Sequence, residues 1–298
     1  MTMKTWNNIL QDFLLDRKVA ISKGTYDSYA SKFNVIDAWV RGNDISIDAW
    51  DDRTVSKLFN HLASERGLDK STCKNYKVAL SVFFDFALRW GYMTTKPSFD
   101  LVTFPKKKND MGATVIAQPD LKKLLGTIEK SKKQLHLVMM TEYYCALRPG
   151  SEIRLMRAKE VDLNSGVIRI PPERAKSRRK EIVTMPEQLI ALYRDYLGDT
   201  KGGLFVFGKG GKPGKVPWSE NTLRNQFNKY RDKLKMPKSY KLYSSKHNGI
   251  TNLAESGASM HTVMLHSRHT SLSVTQCYLH KHGGLIDDRI RNSFPNPY

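Results

Sequence analysis

Residues 242–249 read LYSSKHNG and place Tyr243, Lys246 and His247 within five positions. Upstream, ALRPGSEIRLMR puts Arg148 at the end of an apolar, helix-like run, with Glu152 near enough to brace it. The segment GVIRIPPERAKSRRKEIVTMP sets Lys176, Arg178, Arg179 and Lys180 between two β-rich runs. Towards the C-terminus, RHTSLSVTQCYLH places His269 nine residues before Tyr278. These side chains have complementary abilities. A guanidinium fork binds two oxygens of one phosphate, and an ammonium can give up a proton. Imidazole changes charge near neutral pH, and a tyrosine hydroxyl can act as a covalent nucleophile. By themselves the residues leave three readings open: a reaction centre, a grip on DNA, or ordinary packing.

The charge favours a polyanionic partner. Among 298 residues, 49 Lys and Arg oppose 29 Asp and Glu, a formal net charge of +20. Residues 1–104 carry 14 basic against 12 acidic side chains, whereas residues 105–298 carry 35 against 17. Such an excess is the usual footprint of nucleic-acid binding. The cysteines Cys73, Cys145 and Cys277 are far apart. That argues against a disulfide framework and a cysteine-based zinc site, and suits a reducing cytoplasm. The N-terminus has no uninterrupted apolar stretch of the kind a signal peptide needs, and no segment is apolar for the length of a membrane span.

The elements that must position these residues read as mainly α with a small β-hairpin or sheet, an α+β arrangement. In the first hundred residues, Trp6, Ile9, Leu10, Phe13 and Leu14 share a helical face. Tyr26, Tyr29, Phe33, Ile36 and Val40 form a second stripe, and Val55, Leu58, Phe59 and Leu62 a third. A fourth, Tyr76, Leu80, Phe83, Phe86 and Trp90, starts near Ser71 and Thr72 as caps and stops at Gly91. Four helices with short connections predict a bundle whose polar faces, through Lys74, Asn75 and Lys77, meet DNA. KPSFDLVTFPKKKNDMGA then marks a linker, with domain limits at 1–104, a basic connection at 105–113 and a second domain over 114–298. Its Lys106, Lys107 and Lys108 are expected on the DNA backbone. In the second domain a helix follows Pro119-Asp120, a longer one covers QLHLVMMTEYYCAL, and strands are expected over 167–170 and 181–185. KGGLFVFGKGGKPGKVPW lacks the G-x-x-x-x-G-K-[ST] spacing and reads as a loop. The remainder, 219–298, is mostly helical.

The order Arg, hairpin Lys, a four-residue box, His and then Tyr resembles the tyrosine recombinases, or phage integrase family. RHTSLSVTQCYLH is similar to that family's HxSxxxTxxYxH pattern, and the likeness extends over 114–298, with the front part resembling its core-binding, SAM-like domain. The resemblance implies an integrase-type catalytic domain and strand exchange through a 3′-phosphotyrosyl link, with no cofactor and no ATP because the bond energy stays in the linkage. It makes Tyr278 the nucleophile and Arg148 a ligand of the nonbridging oxygens. Lys176, or alternatively Lys180, becomes the general acid for the departing 5′-oxygen, and His269 a donor to the phosphate. Arg178, Arg179, Lys180 and Arg268 become DNA contacts.

Two departures stand out. Arg148 and Glu152 are one residue further apart than the family's R-x-x-E. Where the family has His-x-x-Arg, this chain has Tyr243 and Lys246, followed by His247, which either takes the missing histidine's role or braces the helix start. This Y-x-x-K-H box resembles a Bacteroidetes-type branch associated with mobile elements. Lysine lacks arginine's bidentate geometry, and losing such a contact in a charge-stabilising site costs roughly 10²–10³ in rate. The resemblance further implies inverted-repeat core sites on double-stranded DNA, a dimer on each site with every protomer clamping the duplex between its domains, and a tetramer in synapsis. A directionality or DNA-bending factor is a further expected partner. It also implies a bacterial or phage-encoded protein of the cytoplasm and nucleoid. The chain begins almost at the bundle, a minimal Xer-like layout, and LHKHGGLIDDRIRNSFPNPY after Tyr278 is expected to dock on a neighbouring protomer. Two alternatives remain: a DNA-binding accessory protein with impaired catalysis, and a type IB topoisomerase-like activity.

Overall fold

Side-chain caps start most of the helices of the first unit. Thr5 caps α1 (Trp6–Ala20), Ser22 caps α2 (Lys23–Gly42) and Asp51 caps α3 (Asp52–Asn60), each accepting a backbone N–H of the first turn. A π-turn over His61–Glu65 extends α3. Asp69 caps α4 (Lys70–Arg89) by accepting the Thr72 N–H at 2.7 Å, two residues ahead of the caps expected at Ser71 and Thr72. The sequence stripes meet in an aromatic core, with Phe13 edge-on to Phe33 and Phe83 at 5.1 and 5.3 Å. Trp90 is a correction to the fourth stripe: it falls just beyond α4 and is 59% exposed.

The computed structural model describes residues 5–106, 114–200, 202–219 and 221–279, with side chains undescribed at 277–279. The chain divides into two units, Met1–Asp110 and Met111–Tyr298.

In the second unit, α5 (Gln118–Ser131) and α6 (Lys133–Cys145) precede a three-stranded antiparallel sheet in the order β1-β2-β3. Its strands are β1 (Val161–Asp162), β2 (Val167–Ile170) and β3 (Glu181–Thr184), with Ile168 paired to Val183 and Ile170 to Glu181. The hairpin expected from the sequence is β2–β3, and β1 is a short addition to it. Then follow α7 (Glu187–Leu197), α8 (Thr222–Lys233), α9 (Ser244–Glu255), α10 (Met260–Ser267) and α11 (Leu272–Leu279). The sequence reading does not place α7, although Leu189, Ile190, Tyr193 and Leu197 form a buried stripe. The segment over 202–218 is a loop held by isolated bridges, such as Phe205 with Gly214.

The core helix is α6, buried on nearly every face. It packs against α9 at Gly249, where a β-carbon would lie 1.8 Å from the Tyr143 carbonyl oxygen. The same stretch of α9 anchors the entrance of the unit: the Asn248 amide donates to the Ile116 carbonyl at 2.7 Å and accepts its N–H at 3.0 Å. These two contacts fix the helix that carries the Tyr243–His247 box.

Candidate active site

Ala146 ends α6 in the left-handed region, φ 49°, and turns Arg148 out of the helix. A π-turn follows: the Ile153 N–H donates to the Arg148 carbonyl at 3.0 Å and the Arg154 N–H to that of Pro149 at 3.1 Å. Each bond spans one residue more than an α-helical bond, so the turn absorbs the extra residue between Arg148 and Glu152. Glu152, wholly buried, accepts the Arg148 guanidinium at 2.7 Å and its backbone N–H at 2.8 Å.

Arg268 reaches the same carboxylate from 116 residues away, donating to Glu152 Oε2 at 2.7 Å. It also donates to the Ala146 carbonyl at 3.1 Å and to Glu181 Oε2 at 2.6 Å. Burial pushes the Glu152 carboxyl up, but Arg268 and Arg148 outweigh that and hold it below its ordinary value. The sequence places Arg268 among the DNA contacts, and the structure sets it beside these two carboxylates. Its side chain is 9% exposed, and its donors are turned inward to two carboxylates and a carbonyl.

Lys246 sits in the first turn of α9, 1% exposed, with no hydrogen-bond partner for Nζ among the described residues. Burial, reinforced by Arg148 and Arg268, brings its pKa down to about 7. Beside it, the Tyr243 hydroxyl is pushed up, mainly by burial, and the His247 ring stands edge-on to the Tyr243 ring at 5.0 Å. His269 Nδ1 lies 3.0 Å from Thr275 Oγ1, and burial, then Lys246, Arg148 and Arg268, depress its pKa to about 4. The same cations act on Lys246, Tyr243 and His269, which locates Arg148, Lys246, His269 and Arg268 around one spot. Tyr278 belongs to α11, one turn beyond Thr275, so the backbone sets both on one helical face. Its side chain lies outside the described residues, as do Lys107, Lys108 and the tail from residue 280.

The hairpin is tied to this cluster at both feet. Ser151 Oγ donates to the Arg174 carbonyl at 3.2 Å, and Glu181, at the start of β3, holds Arg268 and accepts Ser177 Oγ at 2.6 Å. Lys176, Arg178, Arg179 and Lys180 are exposed along the turn, and no hydrogen bond among the described residues joins Lys176 to the cluster. In the other unit, Lys74 and Asn75 are exposed on α4, Lys77 lies over the Phe99 ring at 5.2 Å, and Lys106 is exposed.

Two members of the site are absent from the sequence reading. Glu181 had no signal beyond its place at a strand start. Glu142 had one, as the only acid in the apolar run HLVMMTEYYCAL. It is wholly buried on α6, neither carboxylate oxygen has a hydrogen-bond partner among the described residues, and burial raises its pKa well above the ordinary value against the pull of Lys246.

Residues 114–283 match the Phage integrase family, and residues 5–101 match the Phage integrase SAM-like domain. The chain belongs to the phage integrase family. This tyrosine recombinase, an enzyme of site-specific DNA breaking and rejoining, is 22% identical to the tyrosine recombinase XerD of Pseudomonas aeruginosa over 93% of this chain and 94% of the relative. It is 23% identical to XerC of Pelotomaculum thermopropionicum, covering 90% and 88% of the two chains. Its fold is shared with the Tn1549 transposon integrase in complex with transposon right end DNA, at TM-score 0.74 and 15% identity over 96% of this chain and 98% of that one. A lambda integrase tetramer bound to a Holliday junction matches at TM-score 0.74 and 15% identity, covering 93% of this chain and 78% of the other. A lambda integrase dimer bound to a core site matches at TM-score 0.74 and 16% identity over 95% and 79%. No helix among the described residues is long and apolar enough to cross a membrane.

Proposed function

We propose that this recombinase cleaves DNA with Tyr278 and uses Arg148, Lys246 and His269 to meet the charge on the scissile phosphate. The Tyr278 hydroxyl releases its proton to solvent and its oxygen bonds to phosphorus while the bond to the 5′-oxygen breaks. That oxygen departs with a proton from Lys176, and the 3′-phosphate stays on the tyrosine. A 5′-hydroxyl of another strand reverses the step, which conserves the bond energy. The observation that carries this reading is the convergence of Arg148, Lys246 and His269 at the buried head of α9, beside the helix that bears Tyr278. Tyr243, Lys246 and His247 form the Y-x-x-K-H box of a mobile-element branch, in which the edge-on ring contact makes His247 a brace for Tyr243. The exposed cations of the hairpin, with Lys74, Asn75 and Lys106 to Lys108, hold phosphates along the site.

The domain limits are 1–104 and 114–298, joined by the basic segment 105–113. The core-site dimer and Holliday-junction tetramer of lambda integrase support a dimer on each core site and a tetramer in synapsis, and the core sites would be inverted repeats. The protein would act at DNA in the cytoplasm, with a directionality or DNA-bending factor to bias the outcome.

Covalent trapping tests the reading. Incubation with nicked duplexes carrying candidate sites should give a denaturation-resistant protein–DNA band that Tyr278→Phe abolishes. The burial of Lys246 favours one other reading, a DNA-binding protein with disabled chemistry. Specific binding without a band, restored only by Lys246→Arg, would establish it.

A further inference from the structure

Arg268 stands immediately before His269 with φ 57° and ψ 43°, a left-handed conformation that glycine adopts freely and arginine does not. The cost is local, and the return is a side chain aimed inward. Its guanidinium joins Glu152, Glu181 and the Ala146 carbonyl, at 2.7, 2.6 and 3.1 Å. These partners lie on three separate elements: the π-turn after Arg148, the foot of the hairpin that bears Lys176, and the end of α6. Glu152 thus lies between two guanidiniums, and both of its oxygens accept from Arg148 groups while one also accepts from Arg268. With Arg268 removed, Glu152 would be left to Arg148 alone and the Glu181 foot of the hairpin would lose its tie to the site, leaving only the Ser151–Arg174 bond at the other foot.

Lys246 cannot do this work. It has one compact charge and no hydrogen-bond partner among the described residues, and its Nζ lies over the Tyr243 ring, 5.6 Å from the centroid, with no bond to Glu152 or the hairpin.

We propose that Arg268 is a positioning residue of the active site, whose guanidinium clamps Glu152 and the hairpin foot and thereby holds Arg148 in register with the scissile phosphate. This rests on the proposed strand-cleavage reading, and the test separates the two.

The probe is a nicked duplex carrying a site that the wild-type protein selects from randomised DNA, made with either a normal phosphate or a methylphosphonate at the scissile position. The methyl group removes the negative charge that Arg148 must meet. Arg268→Gly takes away the guanidinium while relaxing the backbone, and Arg268→Lys keeps a charge able to reach one carboxylate. On the phosphodiester, Arg268→Gly should lose about 100-fold in covalent-complex formation while binding DNA within about threefold of wild type, and Arg268→Lys should recover part of the loss. On the methylphosphonate the deficit of Arg268→Gly should shrink to less than about tenfold. A merely structural role would lower both substrates equally, and that result, or wild-type cleavage by Arg268→Gly, overturns the inference. If Arg268→Gly does not fold, the same comparison on Arg268→Lys decides. A wild-type protein that forms no covalent complex on any selected site overturns the strand-cleavage reading itself, and this inference with it.

Discussion

Arg148 and Glu152 sit at the two ends of one π-turn, joined twice: guanidinium to Oε1 at 2.7 Å and backbone N–H to Oε2 at 2.8 Å. The carboxylate is wholly buried and also neutralises Arg268, so removing its charge leaves two guanidiniums short of an anion. Glu152→Gln, which keeps the shape, should destabilise the protein by about 3 kcal/mol in chemical denaturation and abolish covalent-complex formation. The depressed pKa of Glu152 gives the pH dependence its sign. The stabilisation is present above the ordinary carboxylate value of 4.5 and is lost as pH falls through the folded-state value, so the gap between wild type and variant should close in acid. A gap that stays constant down to low pH would show that the carboxylate is not ionised in the fold.

The π-turn makes the longer Arg148–Glu152 spacing a local matter. Gly150 is exposed and a β-carbon there would touch nothing, so deleting it should convert the π-turn to an α-turn and leave the flanking elements in place. The deletion variant is expected to fold and to cleave within about tenfold of wild type. A one-residue deletion in the middle of α6 should instead rotate its buried face and unfold the domain. Far-ultraviolet circular dichroism and the trapping assay on both variants check this. Equal damage from both would mean that the extra residue is not absorbed locally.

Gly249 is where α9 touches α6, with the Tyr143 carbonyl oxygen 1.8 Å from any β-carbon added there. That oxygen belongs to a helix backbone and cannot swing aside. Gly249→Ala must therefore push the helices apart, at a cost of about 3 kcal/mol, and should carry the Lys246 end of α9 away from Arg148. Urea denaturation measures the first effect. Gly150→Ala, with open space around it, is the control that should change little.

The stripes of the first unit were readable because a helix buried on one side repeats every turn, and Phe13, Phe33, Leu58 and Phe83 are all fully buried where that rule puts them. Trp90 misled because the period says nothing about where a helix stops. In the second unit, Arg148, Lys246, His269 and Tyr278 were legible as a spacing pattern. Their support was not: Arg268 meets Glu152 across 116 residues and Glu181 across 87. Glu142 comes within electrostatic reach of Lys246 only because α6 and α9 pack together. Contacts of that range are made by packing, and no local period announces them. Arg268 was read only as a DNA contact beside His269, because nothing in the sequence announces the left-handed backbone from which its side chain reaches Glu152 and Glu181.

Lys246 gives the site its own pH dependence. Its pKa falls to about 7 inside the fold, below the ordinary 10.5, so the unfolded chain binds the extra proton between those values and the lysine's contribution makes stability rise with pH across that window. Lys246→Met removes this contribution. Wild-type stability minus that of the variant should therefore increase from pH 7 to 10, by up to about 1.4 kcal/mol per unit. Glu142 works in the opposite sense, since its raised pKa makes the fold hold a proton that the unfolded chain has released above 4.5. For catalysis the charged lysine is the useful form. At sub-saturating DNA, where the free protein's titration is read, covalent-complex formation should fall as pH rises through about 7. Lys246→Arg stays charged and should lose that alkaline limb. A limb that is unchanged in Lys246→Arg would assign the titration to another group and leave Lys246 without an electrostatic part in the reaction.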